Sequence, residues 1–238
     1  MYELLETLQK AQTRRRFPDW QPTPTKGKFK AEAFNTDVIY RMLEFVDLEI
    51  TVGNWVVTSG SDNELSGEIA KLLRRNAADE TKHEEVLKLL RNYVEAPSTI
   101  SPDASALIQR WEEQEPSFAL AYALEMGVFM TILPWLNKNG DVYCSTVSGW
   151  ISDDETVHVI TNAALAKYVG SKLTKEHFAL VIDTLAYIFK GESDVTNRIK
   201  RACQRLRTGK DNAMMDESVV TTIAFFEQYD KQPTEYAA

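Results

Sequence analysis

Hydrophobic positions recur at three- and four-residue spacing over several long stretches of this chain, and no stretch alternates between hairpin turns. The pattern predicts an all-α protein. Residues 3–16 read as a short helix ending in Arg14-Arg15-Arg16, and Pro18, Pro22, Pro24 and Gly27 make the next segment, 17–28, an arm or loop. A long helix is predicted from Asn35 to Ser59, capped by Asn35 or Thr36 and stopped by Gly60. Its buried stripe reads Met42, Phe45, Val46, Glu49, Val52, Gly53 and Val56. A second helix runs from Asn63 to Val94, with Ile69, Leu72, Leu73, Ala77, Leu87 and Leu90 on the face that also carries Glu80 and His83.

Pro97 and Pro102 close that hairpin. A third helical stretch starts near Pro102, is bent or broken at Pro116, and continues through Phe118, Tyr122, Glu125, Val128, Phe129 and Ile132, with a kink expected at Pro134. A fourth, from Asp141 to Tyr168, presents Ile151, Glu155, His158 and Val159 on one face and stops at Gly170. Shorter helices are expected at 175–190, 193–208 and 216–230. The result is one domain over 1–238: a four-helix core at 35–170, an N-terminal helix and arm at 1–34, and accessory helices at 171–238.

Composition narrows this picture rather than changing it. With 44% hydrophobic residues, ten Gly and eight Pro in 238 residues, the chain can bury one substantial core. A net charge of −8 disfavours nucleic acid and anionic membrane as partners. Cys144 and Cys203 are too few for a disulfide framework, the N-terminus lacks the apolar core of a signal peptide, and no window is read as reaching the roughly 18 apolar residues of a membrane span. A cytoplasmic protein is expected.

The candidate chemistry lies in a repeated phrase. Asp79-Glu80-Thr81-Lys82-His83 and Asp154-Glu155-Thr156-Val157-His158 hold two of the three histidines, and each follows a lone Glu on an apolar stripe, Glu49 or Glu125, by about thirty residues. Glu and His three apart share a helix face. A buried carboxylate is costly unless neutralised, and a divalent cation removes that cost. Four carboxylates able to bridge, with two imidazoles as neutral terminal ligands, describe a dinuclear metal site. Salt-bridged core carboxylates, or solvated Glu-x-x-His spacings, are the plainer readings.

In the order Glu49, Asp79-Glu80-x-x-His83, Glu125, Asp154-Glu155-x-x-His158, residues 35–170 resemble the ferritin-like diiron carboxylate superfamily. The resemblance implies a ferritin-like four-helix bundle holding two iron ions, with manganese as an alternative metal in one or both sites. Glu49, Glu80 and His83 would serve one ion and Glu125, Glu155 and His158 the other, with Glu80 and Glu155 as bridges. Asp79 and Asp154 are similar to the aspartates that orient metal-bound His in oxygen-activating branches such as monooxygenases and acyl-carrier desaturases.

Two His ligands favour redox chemistry over mineral storage, so the leading expectation is an O₂-dependent oxidase or oxygenase acting on a small or acyl-type organic substrate. Val52, Gly53, Tyr122, Val128, Phe129 and Ile132 are candidate pocket walls, although simple core packing is their plainer role and a close helix crossing explains Gly53 equally well. Alternatives are a radical generator similar to the ribonucleotide reductase small subunit, and a ferroxidase without an organic substrate. Against the former, the first ligand is Glu rather than Asp and Leu87 stands where a radical Tyr is expected. A monomer or homodimer is expected. The basic stretch Arg198, Lys200, Arg201, Arg205, Arg207 and Lys210 is a candidate dock for a ferredoxin-type donor or acyl carrier protein, or else a solvated helix face. His177, at a helix start with no acidic partner at metal spacing, reads as structural.

Overall fold

The computed structural model describes residues 2–14 and 35–208, and among them it contains helices and turns with no strand. The all-α reading holds. The first helix, α1 (Tyr2–Gln12), packs on α8 and α4. The arm at 17–28, the helix expected at 216–230 and Lys210 lie outside the described residues.

The helix expected from Asn35 to Ser59 is two helices, α2 (Thr36–Leu43) and α3 (Leu48–Asp62). Asn35 caps the first, accepting from the Val38 N–H. At 44–47 the backbone tightens to three-residue bonds, Phe45 N–H to Met42 carbonyl at 3.2 Å and Leu48 N–H to Phe45 carbonyl at 3.0 Å. Side chains from elsewhere hold this break: Arg91 donates to the Leu43 carbonyl, while Glu44 accepts from the Ser101 N–H and the Tyr187 hydroxyl. The break places Glu49 in the first turn of α3. Gly60 is not the stop. A Cβ there would lie 2.5 Å from Leu73 Cδ1, so this glycine admits a neighbouring helix, and α3 continues to Asp62.

That neighbour, α4 (Gly67–Tyr93), starts four residues later than expected because Glu64 takes a left-handed turn at φ 54°. Ser101 caps α5 (Pro102–Glu112), and Pro116 falls in the loop before the next helix rather than inside one. The continuous stretch Phe118–Asn139 comprises α6 (Phe118–Tyr122), a π-helical segment Ala123–Phe129 and α7 (Met130–Asn139). It is apolar and long enough to cross a membrane by length and composition, contrary to the sequence expectation, but 83% of its most apolar window is buried within the protein. It is the core helix.

Pro134 sits inside α7 and cannot donate to the Met130 carbonyl. Arg205 replaces the missing donor, 2.7 Å from that carbonyl, and also reaches the Thr131 hydroxyl. The long α8 (Val142–Val169) has Asp141 as its cap, accepting from the Cys144 N–H at 2.9 Å, and ends at Gly170 with φ 76°. Then come α9 (Lys175–Ile188), started by a capping box of Thr174 and His177, and α10 (Val195–Thr208). Helix α3 packs on α4, α4 on α8, α8 on α6 and α7, and α6 on α3. Those segments close a ring, and α9 and α10 cover the π segment from outside.

Candidate metal centre

All six predicted ligands are buried. Glu49 is 2% exposed, Glu80 1%, and His83, Glu125, Glu155 and His158 are fully enclosed. Ligand atoms of Glu80, His83, Glu155 and His158 all lie within 4.8 Å of one another, the spacing of groups that could hold a metal ion. His83 Nδ1 stands 3.1 Å from Glu80, 3.3 Å from Glu155 and 3.6 Å from Glu49. His158 Nδ1 lies 2.8 Å from Glu80 and 4.0 Å from Glu155. Glu80 and Glu155 thus each approach both imidazoles, as bridging positions require.

The two aspartates cross over. Asp154 faces His83 Nε2 at 3.5 Å, and Asp79 faces His158 Nε2 at 3.4 Å, so each phrase orients the histidine of the other. A carboxylate at Nε2 favours a proton there and turns the lone pair of Nδ1 toward the carboxylates. Both aspartates are buried, at 5% and 3% exposure, so neither is a solvated helix position.

Metal ions fit these groups better than salt bridges do. Six buried carboxylates, four of Glu and two of Asp, surround only two imidazoles, and a buried anion without compensation costs several kcal/mol. Among the described residues, neither oxygen of Glu155 accepts a hydrogen bond, and Glu49 Oε2 and His158 Nδ1 make none of good geometry. Oxygen and imidazole donors left open at one point suit divalent iron, manganese or zinc.

Protons partly balance the charge when no metal is bound. Burial pushes the Glu49 carboxyl well above its usual range, reinforced by Glu80 and Glu155, and burial with repulsion from Glu155 does the same to Glu125. Glu155 is raised by burial and by Glu80. Burial opposes ionisation of Glu80 too, but His158 and His83 outweigh it and hold that carboxyl below its usual range. Burial likewise disfavours the charged imidazoles, yet their surrounding carboxylates raise both, His83 the further.

Asn162 was not anticipated. Its Nδ2 donates to both oxygens of Glu125, each at 2.8 Å. The signal was present in the sequence, since Asn162 lies four residues after His158 on the same face of α8. The position four after His83 is Leu87, which is 6% exposed and helps wall a crevice beside Glu49. That crevice, about 10 Å³, is lined also by Met42, Val46, Phe129 and Ile132, and it accommodates about one water-sized molecule.

Of the expected pocket walls, Phe129 and Ile132 line this crevice, while Val52 and Val128 are buried in the core. Tyr122 is buried in the core, and Gly53 serves a close helix crossing, since a Cβ there would meet Ala77 Cα and Cβ at 3.3 Å and Glu80 Cγ at 3.4 Å. The basic stretch is not a uniform free face: Arg205 is engaged at the Pro134 carbonyl gap, and Arg198 lies over the Phe189 ring and near Asp194. His177 is structural as expected, its Nδ1 accepting from the Thr174 N–H, with burial lowering its pKa to about 4. Set beside known proteins, the chain matches no protein-family model and no curated sequence, so its function must be argued from this cluster.

Proposed function

We propose that this chain is a ferritin-like diiron carboxylate protein that activates dioxygen for the oxidation of a small or acyl-type organic substrate. The observation that supports it most is the crossed pairing of Asp154 with His83 and Asp79 with His158 around four buried glutamates. Glu49, Glu80 and His83 would hold one ion and Glu125, Glu155 and His158 the other. Two ferrous ions bound there supply the two electrons that reduce dioxygen.

The chain's own residues do the rest. Asp79, hydrogen-bonded to His158 Nε2, and Asp154, facing His83 Nε2, fix the imidazoles, while Glu80 and Glu155 span the two halves. The apolar walls Met42, Val46, Leu87, Phe129 and Ile132 keep bulk water from Glu49 and leave room for about one water-sized molecule. An organic substrate needs those walls to part. The size of the crevice therefore also supports the ferroxidase reading, in which ferrous ion itself is the reductant consumed. The radical-generator reading gains nothing, because an aliphatic side chain, Leu87, occupies the crevice wall.

Anaerobic loading with ferrous salt, followed by mixing with dioxygen, tests the proposal. Uptake of two irons per chain and their rapid oxidation, with a change in optical spectrum whose decay one class of organic compound accelerates, supports an oxygenase. Oxidation indifferent to every organic compound favours the ferroxidase. Iron that binds but is oxidised no faster than free ferrous ion contradicts both.

A further inference from the structure

The two halves of the cluster match in their ligands and differ in what lies behind them. Behind Glu125, the Asn162 amide donates to both carboxylate oxygens. Behind Glu49, at the matching position on α4, stands the aliphatic Leu87, and Glu49 Oε2 has only the His83 ring nitrogen within reach, at 3.6 Å and short of a well-formed hydrogen bond. An amide oxygen turned toward a carboxylate would be repelled, so the Asn162 side chain is fixed with its nitrogen inward. Each Glu125 oxygen keeps a second lone pair for a cation. Holding Glu125 in place before a metal arrives removes an ordering cost that Glu49 still carries.

We infer that the two half-sites load unequally, the Glu125–His158 half first and the Glu49–His83 half second, and that Asn162 is the positioning residue that sets the order. The weaker half is also the one beside the apolar crevice, so the ion there is the more exchangeable and the closer to an entering small molecule. This rests on the dinuclear reading above. Supporting residues of this kind are typically worth about 10–100-fold in metal affinity, which is the expected gap between the first and second ion.

Anaerobic titration of the full chain with Mn²⁺, followed by electron paramagnetic resonance, reads the order directly. The first equivalent should give the signal of an isolated ion, and only the second should convert it to a spin-coupled pair. Crystals grown with one equivalent should show anomalous density beside Glu125 and His158. In Asn162→Leu the two steps should merge, with coupled pairs present from the first additions. Leu87→Asn, which supplies an amide behind Glu49, should tighten the second step by about 10-fold or more and leave the first unchanged. It keeps the test alive if Asn162→Leu fails to fold. Coupled pairs from the outset in the unaltered protein, first occupancy beside Glu49, or no narrowing of the gap in Leu87→Asn would overturn the inference while leaving a dinuclear site intact. No Mn²⁺ uptake by the unaltered protein would overturn the dinuclear reading and the inference with it.

Discussion

The two helix pairs that bring in the ligands reach matching geometry by different means. In the α3/α4 pair the approach is set by glycine: Gly53 rests against Ala77 and Glu80, and Gly60 makes room for Leu73. In the pair formed by α6–α7 and α8 it is set by irregular backbone. A π-helical segment carries Glu125, Pro134 leaves a carbonyl open, and Arg205 from α10 fills the gap. The helix contact of the first pair is direct, with Ser101 and Tyr187 needed only to hold the break before Glu49, whereas the second is propped along its length by accessory helices packed on its outer side. A repeated ligand pattern thus does not imply a repeated scaffold.

Changes to the shared bridges should erase the difference between the pairs. Glu80→Ala removes a carboxylate that approaches both histidines, and it is expected to abolish binding of two ions rather than one, as measured by metal content after anaerobic loading. Retention of one tight ion would mean that Glu80 belongs to a single half. Next in size, Asp79→Ala and Asp154→Ala should each weaken metal binding by about 10–100-fold, and by similar amounts, because the aspartates cross between phrases. Competition titration with a chelator measures both losses, and a large inequality would break the symmetry argued here.

Protons should separate the metal-free from the metal-bound protein. Both imidazoles are raised above their ordinary 6.5, so their contribution to stability is complete below that value and is lost as pH rises through the folded value. Glu49, Glu125 and Glu155 are raised above 4.5, so ionising them at higher pH also costs stability. Glu80, being lowered, acts in the opposite sense only in acid. The metal-free protein should therefore melt several degrees lower at about pH 9 than at about pH 6, while metal affinity rises over the same interval as protons leave the ligands. Calorimetry in chelator checks the first trend, and a melting temperature that climbs with pH would contradict it.

Smaller effects should distinguish the two scaffolds. Arg205→Met leaves the Met130 carbonyl without its donor and should cost about 1–3 kcal/mol in chemical unfolding, but much less when Pro134→Ala restores a backbone N–H. Equal cost in both backgrounds would mean that Arg205 does not serve the proline gap. Gly53→Ala presses a methyl on Ala77 and should cost about 1 kcal/mol, with its effect on metal affinity confined to changes at Glu80.

The six clustered acid and imidazole side chains and their aspartates were legible in the sequence because burial of a charged residue on an apolar stripe shows wherever helical period does. The start near Asp141 and the stop at Gly170 were equally plain, and one capping side chain and one positive φ decide them. What was hidden depends on distant partners. The break at 44–47 is held by Arg91, Ser101 and Tyr187, and Gly60 reads as a stop until Leu73 is seen packed against it. The π segment, at seven residues, is too short for its wider turn to show as a separate period. Gly53 could be read as space or as contact, and only the position of Ala77 decided between them.

Diffraction from crystals loaded anaerobically with ferrous iron, recorded across the iron absorption edge, tests the central claim most directly. Two anomalous peaks should lie among the carboxylates of Glu49, Glu80, Glu125 and Glu155, each with one of His83 Nδ1 and His158 Nδ1 as its nitrogen ligand. An absence of peaks there, or a single ion bound by histidine nitrogens at Nε2 with Asp79 and Asp154 as ligands, would contradict it.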